Sequence, residues 1–302
     1  MATVKDTIPH IIRTAEDPRQ KGVWSARLSK IEQVNPKIRL LRLSLPRDGP
    51  PLRHLPGQYV DLYVPNIDVV GGFTITSPPQ ASSQAQQDPH IELAIQISPD
   101  NPPAAFLWRP ESEILNSTLS FRIGGNFVYP PMTLKRTECE SIDRVVFIAG
   151  GVGINPIMSM ISTLNEAGTT RVLGGMPKHV RVLYTSRRER NPDGQAAEIL
   201  FENRLKSIAE NWNTHQQQVD YQYAFFETSE PSSVGAPKPG NMAVHSRRIS
   251  QNDLLEALGS EDGRANTVVY VCGLPTMTDQ YVELLKNAPG MDEKRVLCEK
   301  WW

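Results

Sequence analysis

The chain has 302 residues, enough for two domains, with 39% hydrophobic and 22% charged residues. A formal net charge of -1 and a pI near 6.6 exclude an electrostatic case for nucleic acid or an anionic membrane as partner. Its three cysteines, Cys139, Cys272 and Cys298, show no paired spacing, which excludes a disulfide framework and points to a reducing compartment.

Residues 1–21 read as a polar, loosely held tail. They lack the apolar core and small-residue cleavage site of a secretory leader. Asp6, Glu16 and Asp17 count against a transit peptide, although Arg13 and Arg19 leave one open. The expected location is intracellular, mitochondrial or cytoplasmic.

From Trp24 the pattern turns to short strands: Trp24 to Ile31, Ile38 to Leu45, Tyr59 to Val64, Phe73 to Thr76, Ile91 to Ile97 and Leu119 to Ile123. Prolines and glycines separate them, as at Pro46 to Pro51 and Pro56-Gly57. Short strands with so little helical period predict an antiparallel barrel or sandwich over residues 22–135. Ala104 to Trp108 is the one helical stretch expected there. Ser77 to His90 reads as a polar surface loop, and Pro130 to Ser141 as a connection between domains.

Residues 142–302 alternate strand and helix. Strands are expected at 145–149, 180–185, 219–226, 267–272 and 295–298, and helices at about 155–167, 195–210, 250–258 and 277–287. That rhythm predicts a parallel sheet with helices on both faces. Thr228 to Asn241 reads as a loop.

The most informative stretch is Val145-Val-Phe-Ile-Ala-Gly150-Gly-Val-Gly153-Ile-Asn-Pro156. Four apolar residues form a buried strand, and Gly150, Gly151 and Gly153 allow positive φ and close approach to the backbone. Asn155 and Pro156 then suit a helix start, and Ile157, Met160, Ile161 and Leu164 recur on one helical face. Open N–H groups and the positive dipole end favour a phosphate at the turn, although a tight connection with no ligand has the same spelling. The glycines, Asn155 and Pro156 also break the most apolar window of the chain, so no membrane span is expected.

Two further signatures follow. Val268 to Cys272 is a buried strand running into Gly273-Leu-Pro-Thr-Met277, a turn at the carboxyl end of a parallel strand, where open α/β sheets bind ligands. Taken alone, Cys272 reads as a small buried hydrophobe, the usual fate of a free cysteine. The chain ends on Trp301-Trp302, rings that need something flat to pack on, either an aromatic ligand or a subunit interface. The histidines (His10, His54, His90, His179, His215 and His245) lack metal-ligand spacing and read as surface or loop residues, so no metal site is expected.

In order and together, these motifs resemble the ferredoxin–NADP reductase superfamily, and within it the oxidoreductase NAD-binding domain-containing proteins. The resemblance runs through Val70-Gly-Gly-Phe-Thr-Ile-Thr-Ser77, Asn101-Pro-Pro-Ala104, Arg122-Ile-Gly-Gly-Asn-Phe127, Gly150 to Pro156, Cys272 to Met277 and Glu299-Lys-Trp-Trp302. It implies an N-terminal flavin-binding antiparallel β-barrel and a C-terminal Rossmann-like α/β domain for NAD(P)H. Hydride would pass from nicotinamide to FAD, and electrons onward to an unidentified small molecule or carrier protein.

Carried over by position, Phe73, Thr76, Ser77, Arg122, Gly124 and Gly125 would serve the flavin. Thr74 would lie at its reactive edge, and Trp301 or Trp302 would stack on its ring. Gly150, Gly151, Gly153, Asn155, Pro156, Gly273 and Met277 would line the nucleotide, with Cys272 beside the nicotinamide and Glu299 near the ring junction. Ser186 and Arg187, within Tyr184-Thr-Ser-Arg-Arg188, would meet the adenosine ribose, with Ser246-Arg-Arg248 as a further contributor; these arginines lean the reading toward NADP.

Two positions depart from the superfamily pattern. Gly71 stands where an arginine normally holds the FAD pyrophosphate, and Asn101-Pro-Pro-Ala104 replaces a glycine and serine serving the same phosphates. Arg122 and Arg53 are candidate substitutes, each equally readable as a solvated arginine. A degenerate reductase fold acting as a binding or assembly protein is therefore the rival reading.

Overall fold

The computed structural model describes residues 8–167, 176–214, 219–228 and 241–301. The chain divides into two compact units. The first comprises residues 1–129, 158–163 and 301–302, and the second residues 130–157 and 164–300. The boundaries differ from those read off the sequence, because the middle of one helix and the last residues cluster with the barrel.

The first unit is built on β1 (Trp24–Asn35), β2 (Ile38–Ser44), β3 (Tyr59–Tyr63), β4 (Gly71–Thr74), β5 (His90–Gln96) and β6 (Thr118–Gly124). All pairings are antiparallel, in the order β4-β3-β6-β1-β2-β5, and an Ile75–Leu93 bridge joins the two edges. Alternation along the strands sends Leu28, Leu41, Leu43, Val60, Leu62, Leu93, Phe121 and Ile123 into one core. The expected helix at Ala104 to Trp108 forms as α2 (Pro102–Leu107), starting two residues early because Asn101 caps it. A second short helix, α3 (Glu111–Ile114), follows it. The stretch after Ser77 is less peripheral than a surface loop: Ser77 and Ser82 are both buried.

Residues 8–22 are not a loose tail. A short helix, here α1 (His10–Arg13), begins the described chain, and both His10 and Thr14 are buried. Pro18 to Gln20 then pair with the end of β6: Gln20 N–H donates to the Ile123 carbonyl at 2.9 Å, and Gly125 N–H to that of Pro18 at 3.0 Å.

The second unit holds a six-stranded parallel sheet made of β7 (Arg144–Gly150), β8 (His179–Ser186), β9 (Asp220–Glu227), β10 (Met242–His245), β11 (Thr267–Cys272) and β12 (Val296–Glu299). The order is β10-β9-β8-β7-β11-β12. Its helices are α4 (Arg136–Glu140), α5 (Ile154–Ala167), α6 (Glu202–Thr214), α7 (Gln251–Leu258) and α8 (Pro275–Lys286), with Met158–Thr163 of α5 counted in the first unit. Val146, Ile148, Val269 and Val271 pack with Leu254, Leu258 and Leu285 on one face of the sheet. Helix α6 starts later than the 195–210 expected, because Pro192 to Phe201 follows an irregular course. Strand β10 has no sequence signal of its own. Most of Thr228 to Asn241, and His215, lie outside the described residues.

Candidate functional site

Strand β7 is fully buried except at Arg144, and it has parallel neighbours on both sides, β8 and β11. The chain leaves β7 toward β8 and returns later to β11, so the strand order reverses beside β7. In open parallel sheets the crevice beyond the strand ends at such a reversal is where ligands bind. Here that crevice is lined by backbone. A β-carbon added at Gly273 would lie 3.1 Å from Gly150 Cα, and one at Gly153 only 2.2 Å from the Cys272 carbonyl oxygen. The turns after β7 and β11 therefore touch main chain to main chain, with Met277 wedged against both: its Sδ would be 2.9 Å from a β-carbon at Gly150.

Gly151 is different. It has φ +55, and a β-carbon built on it meets nothing within 4 Å. Its glycine is needed for the left-handed backbone and not for packing inside the protein. The turn leads into the fourteen-residue helix α5, whose dipole and unsatisfied amides favour an anion in that open space. Asn155 and Pro156, in its first turn, are buried. Cys272 is 1% exposed, and burial drives its thiol well above the usual range, so it stays protonated and acts through its main chain. Glu299, half-buried, pairs in register with Cys272 at the same sheet end.

Of the arginines expected at the ribose, Arg188 is committed elsewhere. It donates to Glu202 at 2.9 Å and to Glu227 at 3.2 Å. Burial alone would raise the Glu202 carboxyl, but hydrogen bonds from Arg188 and Lys206 prevail and hold it at about 2. Arg247 likewise pairs with Asp253, which caps α7. Arg187, beside half-buried Ser186, and Arg248 are both exposed.

The barrel residues carried over for a flavin meet a different environment. Register places Tyr59, Asp61, Gly72, Thr74, Arg122 and Gly124 on one face of β3, β4 and β6. Asp61 is wholly buried and has three basic partners: His10 Nε2 at 2.8 Å, Arg19 Nε at 2.8 Å and Arg122 Nη2 at 2.8 Å. Burial raises this carboxyl, but the hydrogen bonds from His10, Arg19 and Arg122 outweigh it and set its pKa at about 2. Arg19 also donates to Thr14, whose hydroxyl donates to the His10 carbonyl at 2.8 Å. The His10 ring lies on the bare backbone of Gly72, where a β-carbon would be 2.1 Å from its Nδ1. It meets Tyr59 edge-on at 5.0 Å and stacks at 15° on Trp301, 6.0 Å between centroids. Arg13 donates to the Trp301 carbonyl at 2.8 Å. Tyr59 covers Gly124 and Gly125.

His10 and His54 thus correct the surface reading of the histidines, since both are 6% exposed. The sequence signal that identifies His10 is a charge count: Asp61 sits inside an otherwise apolar strand and needs basic partners from elsewhere in the chain. Among the described residues, the His54 ring makes one polar contact, 3.4 Å from Nδ1 to the Leu55 carbonyl, and burial lowers its pKa to about 4.

The phosphate anchors of the barrel are closed as well. At Gly71 a β-carbon would meet Phe73 Cε2 at 2.5 Å and Pro103 Cβ at 2.8 Å, so there is no room for an arginine. Helix α2 offers few donors: Pro102 and Pro103 have no N–H, and the Ala104 N–H is taken by the Asn101 side chain at 3.3 Å. Thr76 and Ser77 are buried; the Ser77 carbonyl accepts from Ser159 Oγ at 2.7 Å, and its hydroxyl from Glu92 N–H at 3.0 Å. Thr74 is also buried, and Trp302 lies outside the described residues. In this arrangement the face does not fit a flavin, because His10, Tyr59 and Trp301 fill it and Arg122 is spent on Asp61.

An antiparallel barrel is joined in one chain to a parallel α/β sheet with glycine turns at its switch point, and residues 147–283 of that second part match the family model of the oxidoreductase NAD-binding domain. Over 97% of its length the chain is similar to oxidoreductase NAD-binding domain-containing protein 1 of Danio rerio, at 29% identity across 97% of that protein. Among solved structures, its fold is similar to the CS-b5R domains of human Ncb5or in an NAD+ form (TM-score 0.62, 18% identity, 92% of this chain and 70% of that one). It is also similar to flavohemoglobin from Malassezia yamatoensis with bound FAD and heme (TM-score 0.61, 16% identity, 95% and 62%). The resemblance and fold class drawn from the motifs are borne out. No helix among the described residues is long and apolar enough to cross a membrane.

Proposed function

We propose that this protein is an NAD(P)H-dependent oxidoreductase of the ferredoxin reductase kind. The observation that carries the reading is the open space at Gly151, where two backbone-lined turns meet at the switch point of the sheet. The dinucleotide, when bound, supplies a hydride. The protein contributes a cradle for its pyrophosphate at Gly150, Gly151 and Gly153, and a fixed floor of Gly273 and Met277 beneath it. Thr74, Cys272 and Glu299 retain the roles the resemblance gives them only in part, since Cys272 positions Gly153 and exposes no thiol. Flavin as the second group is supported by the FAD named for flavohemoglobin and by the glycine face of the barrel. No step is assigned through it, because that face is filled. The electron acceptor is a small molecule or a carrier protein.

The test is equilibrium binding of NADH and NADPH, followed by FAD reconstitution and anaerobic bleaching of the flavin bands by each nucleotide. Failure to bind either nucleotide would overturn the reading. The closed anchors at Gly71 and α2 favour a second reading, a reductase fold kept for binding or assembly. Protein that takes up NAD(P)H and reduces nothing, with or without added FAD, would establish that reading in place of the first.

A further inference from the structure

We propose that residues Pro9 to Gln20 are a built-in competitor for the flavin face of the barrel, with the His10 imidazole holding the place of a ligand ring. This rests on the flavin reading above. A planar heteroaromatic group bound there needs a bare backbone to lie on, a flat ring to stack with and a polar group for its edge. His10 already has all three: Gly72 beneath it, Trp301 stacked at 15°, and Asp61 at 2.8 Å. Its other nitrogen, Nδ1, is buried against Gly72 without a hydrogen-bond partner, so the ring is held by shape and by Asp61.

The rest of the segment fastens that ring down. Tyr59 donates to Asp17 at 3.0 Å, Gln20 Nε2 to the Arg53 carbonyl at 2.7 Å, and Arg19 to Asp61 and to Thr14. The same network occupies Arg122, one of the two candidate substitutes for the missing phosphate anchor, since both of its contacts go to Asp61, at 3.0 and 2.8 Å. The segment and a flavin ring are therefore mutually exclusive. Opening the face removes His10 and Arg19 together, two of the three basic partners of Asp61 described above, and clears the bare backbone of Gly72 and the ring of Trp301 for a planar ligand.

The experiment compares FAD binding, by quenching of flavin fluorescence, to the full chain, to the His10→Ala chain and to a chain lacking residues 1–20. NADH binding serves as the folding control, and hydrogen exchange of residues 9–20 is followed with and without FAD. Both altered chains are expected to bind FAD at least tenfold more tightly than the full chain, and saturating FAD is expected to accelerate exchange in the segment of the full chain. Equal FAD affinity in all three, with the segment still protected, would overturn the competition while leaving the flavin reading in place. If no chain binds FAD while all bind NADH alike, the flavin reading falls and the competition with it.

Discussion

Gly151 and Gly153 stand two residues apart in one turn, and alanine at each should fail in a different way. At Gly151 the new methyl meets no protein atom, and the cost is the positive φ of +55, about 1–2 kcal/mol for a residue with a β-carbon. That is a fall of a few degrees in melting temperature for a unit of this size. The methyl does project into the space assigned to the pyrophosphate. Losing even one charge-assisted amide contact, about 1.5–3 kcal/mol, weakens nucleotide at least tenfold. At Gly153 the methyl lands 2.2 Å from the Cys272 carbonyl oxygen, 2.5 Å from its carbon and 2.8 Å from Gly273 N. These are backbone atoms of a buried strand end and cannot rotate away. Relief requires the β7 and β11 turns to separate, at about 3 kcal/mol or more. Differential scanning calorimetry and NADH fluorescence titration, both at neutral pH, separate the two effects. The Gly151→Ala protein should melt close to the parent yet bind NADH at least tenfold more weakly, and Gly153→Ala should show the larger loss of stability. Unchanged NADH affinity in Gly151→Ala would refute the cradle.

Replacing Asp61 with asparagine leaves Arg19 and Arg122 without their carboxylate, and should cost about 3 kcal/mol in urea unfolding of the barrel. In the parent chain the carboxylate is held at about 2, so its contribution is complete above the unfolded value near pH 4 and disappears as pH falls from about 4 to about 2; the Asp61→Asn chain should lack that acid limb. Arg187→Ala should weaken NADPH and spare NADH in side-by-side titrations, whereas equal affinities before and after would remove Arg187 from the 2′-phosphate reading. Trp301→Ala should raise the exchange rate of the His10 to Thr14 amides, because the ring and carbonyl that hold His10 and Arg13 are removed or displaced.

The strand-helix rhythm of residues 142–302 is legible because buried parallel strands such as Val145 to Ile148 and Val268 to Cys272 are uninterrupted apolar runs bounded by glycine. The barrel strands are legible from alternation, as in β2, where Leu41 and Leu43 turn inward and Arg42 outward. Strand β10 is not: Met242–His245 is four residues at a sheet edge, with little burial to impose a pattern. The segment at residues 8–22 misleads for a related reason. Its side chains are polar because they answer one buried carboxylate, and a polar stretch that satisfies a distant charge has the composition of a tail. At the nucleotide turn the glycine spacing marks the place, but only geometry separates Gly153, which packing requires, from Gly151, which packing does not.

His54 offers the last test, and its sign is fixed by burial. The ring is 6% exposed, its Nε2 has no hydrogen-bond partner, and burial lowers its pKa to about 4 against about 6.5 in an unfolded chain. Between those values the unfolded state binds a proton that the native state refuses, so stability rises with pH there. The contribution is fully present above about pH 6.5 and is lost as the solution is acidified toward 4, in total about 3 kcal/mol, of which about 2 kcal/mol falls between about pH 7 and about pH 5. Urea unfolding of the barrel at those two pH values should show this loss in the parent chain and its absence in His54→Gln. A parent chain equally stable at both would mean that His54 reaches water, and the packing around Leu55 would then be open where the structure has it closed.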